Sequence, residues 1–128
     1  MSYYFNKIVP GSFDGTIERV TEELSREGFG IITQIDLATT FKNKIGVDFR
    51  PYRILGACNP KLAHEALALE DKVGTMLPCN VIVQELAPGK VEVAAIDPVS
   101  SMAAIDNPEL LEKATSIRDK LKGVIERV

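Results

Sequence analysis

The chain has 128 residues, a formal net charge of −3 and 26% charged side chains, with a pI near 5.2. That size suits one domain spanning residues 1–128 with a single core. The acidic balance and the lack of a Lys/Arg run argue against a partner bound through its phosphate backbone, so no nucleic acid is expected.

No apolar stretch approaches the roughly 18 residues that a membrane span requires, so no membrane partner is expected. The opening residues carry no charged leader, apolar h-region or small-residue cleavage site. The expected compartment is the cytoplasm, where two cysteines are expected as thiols rather than as a structural disulfide.

The elements follow in chain order. Residues 2–9 alternate aromatic and polar side chains at their start and predict a strand. Ser12 is an N-cap for a helix to about Glu27, with Phe13, Ile17, Val20 and Leu24 on one face. Gly28 supplies its left-handed stop. Residues 31–37 predict a second strand, and a short helical turn over 38–45 carries Phe41 and Ile45 and ends at Gly46. Tyr52 to Cys58 predicts a third strand, with Tyr52, Ile54, Gly56 and Cys58 sharing a face. Asn59-Pro60 then opens a helix to about Glu70, because Asn caps and Pro fits the first helical position, where its missing N–H costs nothing.

Pro78 introduces a strand from Cys79 to Leu86. Ala87-Pro88-Gly89-Lys90 has type II turn chemistry, and Val91 to Ile96 completes the hairpin. Residues 97–106 read as irregular. Asn107-Pro108 repeats the cap signature, and Leu110, Ala114, Ile117, Leu121, Val124 and Val128 then recur at steps of four and three. That long C-terminal helix is expected to lie across a sheet. The fold class is α+β: strand, helix, four strands with short helical insertions, and a terminal helix, with an antiparallel sheet covered on one face.

Cys58 and Cys79 are the only cysteines, and each precedes an asparagine. If the strands holding them are antiparallel neighbours, the end of one adjoins the start of the other and the thiols approach within bonding range. Cys58 also precedes a helix whose unpaired N–H groups favour nearby negative charge, a setting that raises thiolate content. Against that, a buried cysteine behaves as a small hydrophobe, and Cys58 can pack on Ala63 as a staple. The one histidine, His64, completes a conditional soft-metal set with Cys58, Cys79 and Met76. Leu62, Ala66 and Leu69 mark the buried side of that helix, however, which turns His64 to solvent.

Asp36, Asp48, Glu85, Asp97, Ser100 and Ser101 have the side chains for acid–base or nucleophilic work, but none sits in a motif that fixes a partner. Gly28-Phe-Gly30 lacks the full dinucleotide fingerprint and reads as a helix stop. Arg50 and Arg53 are equally suited to an anionic ligand or an exposed strand edge.

The runs Tyr-Arg-Ile-Leu-Gly-Ala-Cys-Asn-Pro, ending at Pro60, and Gly-Thr-Met-Leu-Pro-Cys-Asn-Val-Ile-Val, ending at Val83, resemble the bacterial and archaeal DUF302 family over nearly the whole chain. Asn59-Pro60 and Leu77-Pro78 match recurring positions of that family. The resemblance implies a TBP-like α+β fold and a homodimer. It implies no catalytic list, since no activity is assigned to the family, and fold alone does not supply one.

The expected function is non-enzymatic binding of a small molecule or partner at the sheet end, with Cys58, Asn59, Cys79, Asn80 and Met76 as ligand contacts and no cofactor. The alternatives are a thiol redox or soft-metal protein using the two cysteines, and a structural or interaction domain with both in its core.

Overall fold

The computed structural model describes residues 2–128. Strand β1 (Tyr4–Pro10) leads to helix α1 (Phe13–Arg26), then to β2 (Gly30–Asp36), α2 (Leu37–Ile45), β3 (Tyr52–Cys58) and α3 (Pro60–Leu69). A 3-10 turn (Asp71–Met76) precedes the hairpin of β4 (Cys79–Ala87) and β5 (Lys90–Ile96), followed by α4 (Pro98–Ser101) and α5 (Pro108–Arg127). The five strands form one sheet in the order β1-β5-β4-β3-β2, and every neighbouring pair is antiparallel. The two edge strands therefore run the same way, and α1 is the crossover that carries the chain between them.

Strand alternation sorts the side chains by face. Val9, Leu55, Val81, Val83, Val91 and Val93 point to one side, where they pack with Val20 and Leu24 of α1 and with Leu121 and Val124 of α5. Helix α5 buries Leu110, Ala114, Ile117, Leu121 and Val124 as its spacing predicts. A second cluster, of Ala66, Val73, Met102, Leu110 and Ala114, extends this core past the sheet end. At the far end of α5, Arg127 donates to Glu23 at 2.8 Å and to Glu27 at 3.1 Å, tying it to α1. Lys7 donates to the carbonyls of Glu126 and Val128 at 3.0 and 2.9 Å, where a cation suits the helix C-terminus.

The expected strand, helix, four strands and helix are present, with one addition inside the stretch read as irregular. Asp97 ends β5 and also caps α4, accepting from the Val99 N–H at 2.9 Å, with Pro98 in the first turn. The cap chemistry is that of Asn59-Pro60 and Asn107-Pro108, with aspartate as the acceptor. No helix among the described residues is long and apolar enough to cross a membrane.

Gly56 of β3 sits opposite Asn80 of β4 and Thr33 of β2. A Cβ built there falls inside contact distance of Thr33 Oγ1 and 2.8 Å from Pro78 Cγ. Gly30, by contrast, has nothing within 4 Å of such a Cβ. Gly56→Ala is expected to cost about 1–3 kcal/mol by overpacking, and Gly30→Ala to stay within about 0.5 kcal/mol of the parent. Urea unfolding of the two variants checks the difference.

Candidate functional site

The site grows from the Asn59-Pro60 cap. Asn59 Oδ1 accepts from the Leu62 N–H at 3.3 Å, while its Nδ2 donates to the Glu27 carbonyl at 3.2 Å. One side chain thus starts α3 and fastens it to the end of α1. Gly28 turns the chain from α1 toward β2 at φ +84°, and a Cβ on it would lie 3.1 Å from Asn59 Nδ2. A glycine there meets both the backbone conformation and the close approach.

Held this way, the first turns of α3 stand over the ends of β3 and β4 and leave a cleft of about 200 Å³. Cys58, Asn59, Ala63, Cys79, Phe29 and Ile117 are among its walls, and nearly all of the surface they present is apolar. Ile32, at the irregularity between Ile31 and Thr33 of β2, closes the outer side with Leu77 and Pro78.

The two cysteines line the same cleft but do not face each other across the ladder. Ala57 is the residue opposite Cys79, so Cys79 follows Val81 and Val83 into the helix-covered core and Cys58 takes the other side of the pleat. Both are free thiols. Cys79 is buried and Cys58 half-buried. Burial, with Cys58 beside it as the lesser cause, pushes the Cys79 thiol up to about 11 from its ordinary 9.0. Cys79 is therefore a neutral, apolar group at physiological pH.

The other expected contacts lie elsewhere. Asn80 is exposed and lines a groove on the opposite sheet face. Met76 packs into the second core cluster. His64 is exposed on α3, as the helix spacing predicts. No group of three His, Cys, Asp or Glu that could hold a metal occurs among the described residues. Sequence reasoning passed over Phe29, Ile32 and Ile117 as cleft walls. Of these, Phe29 was within reach, since it follows the positive-φ Gly28 that must bring it back against the helix end.

With the geometry in place, comparison with known proteins adds the lineage. The family model described as "Domain of unknown function DUF302" matches residues 5–128, so the chain belongs to that family. The crystal structure of an uncharacterized conserved DUF302 protein from Bacillus stearothermophilus is similar at a TM-score of 0.91 and 30% identity, covering 99% of this chain and 98% of that one. No curated protein matches the chain.

The cysteines make a measurable prediction. In the unfolded chain Cys79 loses its proton near 9, whereas in the fold it keeps it to about 11. Over that interval the unfolded state binds fewer protons, so stability falls as pH rises from about 9 and levels off above about 11; below that interval Cys79 contributes no pH dependence. The loss amounts to roughly 2–3 kcal/mol and should be missing from Cys79→Ala when the two proteins are unfolded in urea across that range. In the native protein, thiol counting with an alkylating agent should show Cys58 modified well before Cys79.

Proposed function

We propose that this DUF302 member binds a small apolar molecule, without reacting with it, in the cleft between α3 and the ends of β3 and β4. The supporting observation is the cleft itself: about 200 Å³, almost wholly apolar in lining, with both cysteines and the Asn59 cap in its walls. An apolar cavity of about 150 Å³ holds benzene, so the occupant is ring-sized or a short alkyl chain. Aliphatic walls and thiols supply contact area, and no charged wall residue orients a reaction. The thiol-redox alternative draws less support, because Cys79 holds its proton and the β3–β4 register sets Ala57 opposite it.

A panel of monocyclic aromatics and short alkyl alcohols, titrated into labelled protein, should move the amide signals of Ala57, Cys58, Asn59 and Cys79 together. Ala63→Leu fills the cleft from α3 and should weaken binding roughly tenfold or more, about 1.4 kcal/mol for each factor of ten. A flat response across the panel overturns the reading.

A second copy of the chain is the partner we propose, because an exposed apolar fringe surrounds α2. Ile45 is 67% exposed and Ile35, Val47 and Phe49 are also open. They lie at the end of β2, the end of α2 and the segment leading to β3. An exposed cluster of that kind marks an interaction surface. Sedimentation at micromolar concentration should show a dimer, and Ile45→Glu combined with Phe49→Ser should return it to a monomer. A monomeric parent protein rejects this partner.

A further inference from the structure

The sheet face turned away from α1 and α5 carries a groove of about 370 Å³, and pleat and register lay out its walls. Glu92, Ala94 and Ile96 follow one another along β5 on this face. Ile82 of β4 is opposite Ala94, Gln84 is opposite Glu92, and Tyr4 of β1 is opposite Ile96. Ala94, the smallest of these side chains, sets the floor, with Ile82 beside it and Ile96 beyond. Tyr3 and Tyr4 meet edge to face with centroids 5.0 Å apart and close the Ile96 end. The Asp97 N–H donates to the Tyr3 carbonyl at 2.8 Å, which holds that pair to the end of β5.

Polar side chains close the opposite end. Asn6 Nδ2 donates to Glu92 Oε2 at 2.9 Å, Gln84 Nε2 donates to Glu92 Oε1 at 2.7 Å, and Gln84 Oε1 accepts from Arg50 Nε at 2.8 Å. Tyr52 is opposite Gln84, so Arg50, which precedes it, lies past this row from the floor. There it stacks on Phe49 at 4.4 Å from the ring centroid, outside the groove. Glu92 is the one charged side chain among the described residues that line the groove. It is half-buried and makes no ion pair among the described residues; its two partners are neutral amides. A carboxylate has about four acceptor positions and two are used here, so capacity remains for a further N–H donor. A negative charge at one end of an apolar trough selects a cation whose remainder is apolar.

We infer that this groove binds a primary alkylammonium, its N–H groups donating to Glu92 and its chain lying over Ala94 and Ile82 toward Ile96 and the tyrosine pair. Glu92 and Ile96 are about 13 Å apart along an extended strand. An ammonium-to-carboxylate hydrogen bond, a hexyl chain and a terminal contact on the tyrosines fill that span. A carboxylate of the same length meets a like charge at Glu92, and the corresponding alcohol forgoes the ionic attraction. This site stands independently of the cleft on the helix side, whose lining is apolar and holds no charged residue.

The probe is hexylamine, titrated into labelled protein while the groove's amide signals are followed. Signals of Ile82, Glu92, Ala94 and Ile96 should shift together. At those signals propylamine, hexanol and hexanoate should each bind several-fold more weakly, the first for want of a chain and the others for want of the cation. Glu92→Gln should weaken hexylamine roughly tenfold or more, and Ala94→Leu, which raises the floor, should weaken it as well. Ala63→Leu in the helix-side cleft should leave these shifts unchanged. The amide spectrum of each variant checks its fold, and if one variant unfolds the other decides. The inference is overturned by no shift at millimolar hexylamine, by shifts that survive the substitutions, or by equal binding of hexanoate or hexanol.

Discussion

Asn59 holds together two helices that would otherwise be loosely related, α1 and α3. Its oxygen satisfies an orphan N–H at the start of α3, and its nitrogen satisfies an orphan carbonyl at the end of α1. Helix ends leave such groups unpaired, and burying them unpaired is costly. Aspartate would supply the acceptor alone, whereas the amide carries its acceptor and its donor on separate atoms, one for each helix end. The same construction recurs at Asn107, whose Oδ1 accepts from the Leu110 N–H and whose Nδ2 donates to the Leu69 carbonyl, each at 3.1 Å. Two asparagines thus chain α1 to α3 and α3 to α5. The cleft follows from the first of them, because the angle at which α3 leaves β3 decides whether Ala63 stands clear of Cys79.

The helix boundaries that carry this constraint are legible in the sequence, since they are local. Asn-Pro announces a helix start, and Gly28 announces a stop. The periodicity of α5 likewise names the residues it buries. What local pattern cannot supply is the pairing of strands. Cys58 and Cys79 lie at adjoining strand ends, as the order of elements suggests, yet a register placing Ala57 opposite Cys79 sends the two side chains to different sides of the pleat. A shift of one residue would reverse that, and nothing within either strand's own sequence sets it. The misplacement of Asn80 as a neighbour of Cys79 has the same origin: adjacent in sequence, they belong to opposite faces. Asp97-Pro98 is a different kind of omission. Its role as a strand end hides an N-cap whose chemistry matches the two asparagine caps. The row from Arg50 to Asn6 has no sequence signature at all, because residues 6, 50, 84 and 92 meet only once four strands and loops are assembled.

Acidic composition takes on a more specific meaning in this light. The ion pairs that join α5 to the other helices lie on the helix side, as with Arg127 and Glu23, Lys113 and Glu65, and Lys120 and Glu27. Such exposed pairs contribute little stability individually. Glu92 differs in kind: it is half-buried, fixed by two amides and without an ion-pair partner among the described residues. A charge fixed in place without a counter-ion keeps its field available to whatever enters the groove.

Strand β4 is where the two halves of the molecule meet. Cys79, Val81 and Val83 face the helices, while Asn80, Ile82 and Gln84 face the groove. Because β4 is hydrogen-bonded on both edges, to β3 and to β5, neither set can turn over without breaking two ladders. One strand therefore separates an apolar, uncharged cavity from a polar row with fixed charges, since its own contributions to the two point to opposite faces. A thiol such as Cys79 suits the first environment because burial keeps it protonated; a carboxylate such as Glu92 suits the second because its neighbours donate to it. Pleat parity, rather than distance along the chain, sorts these chemistries.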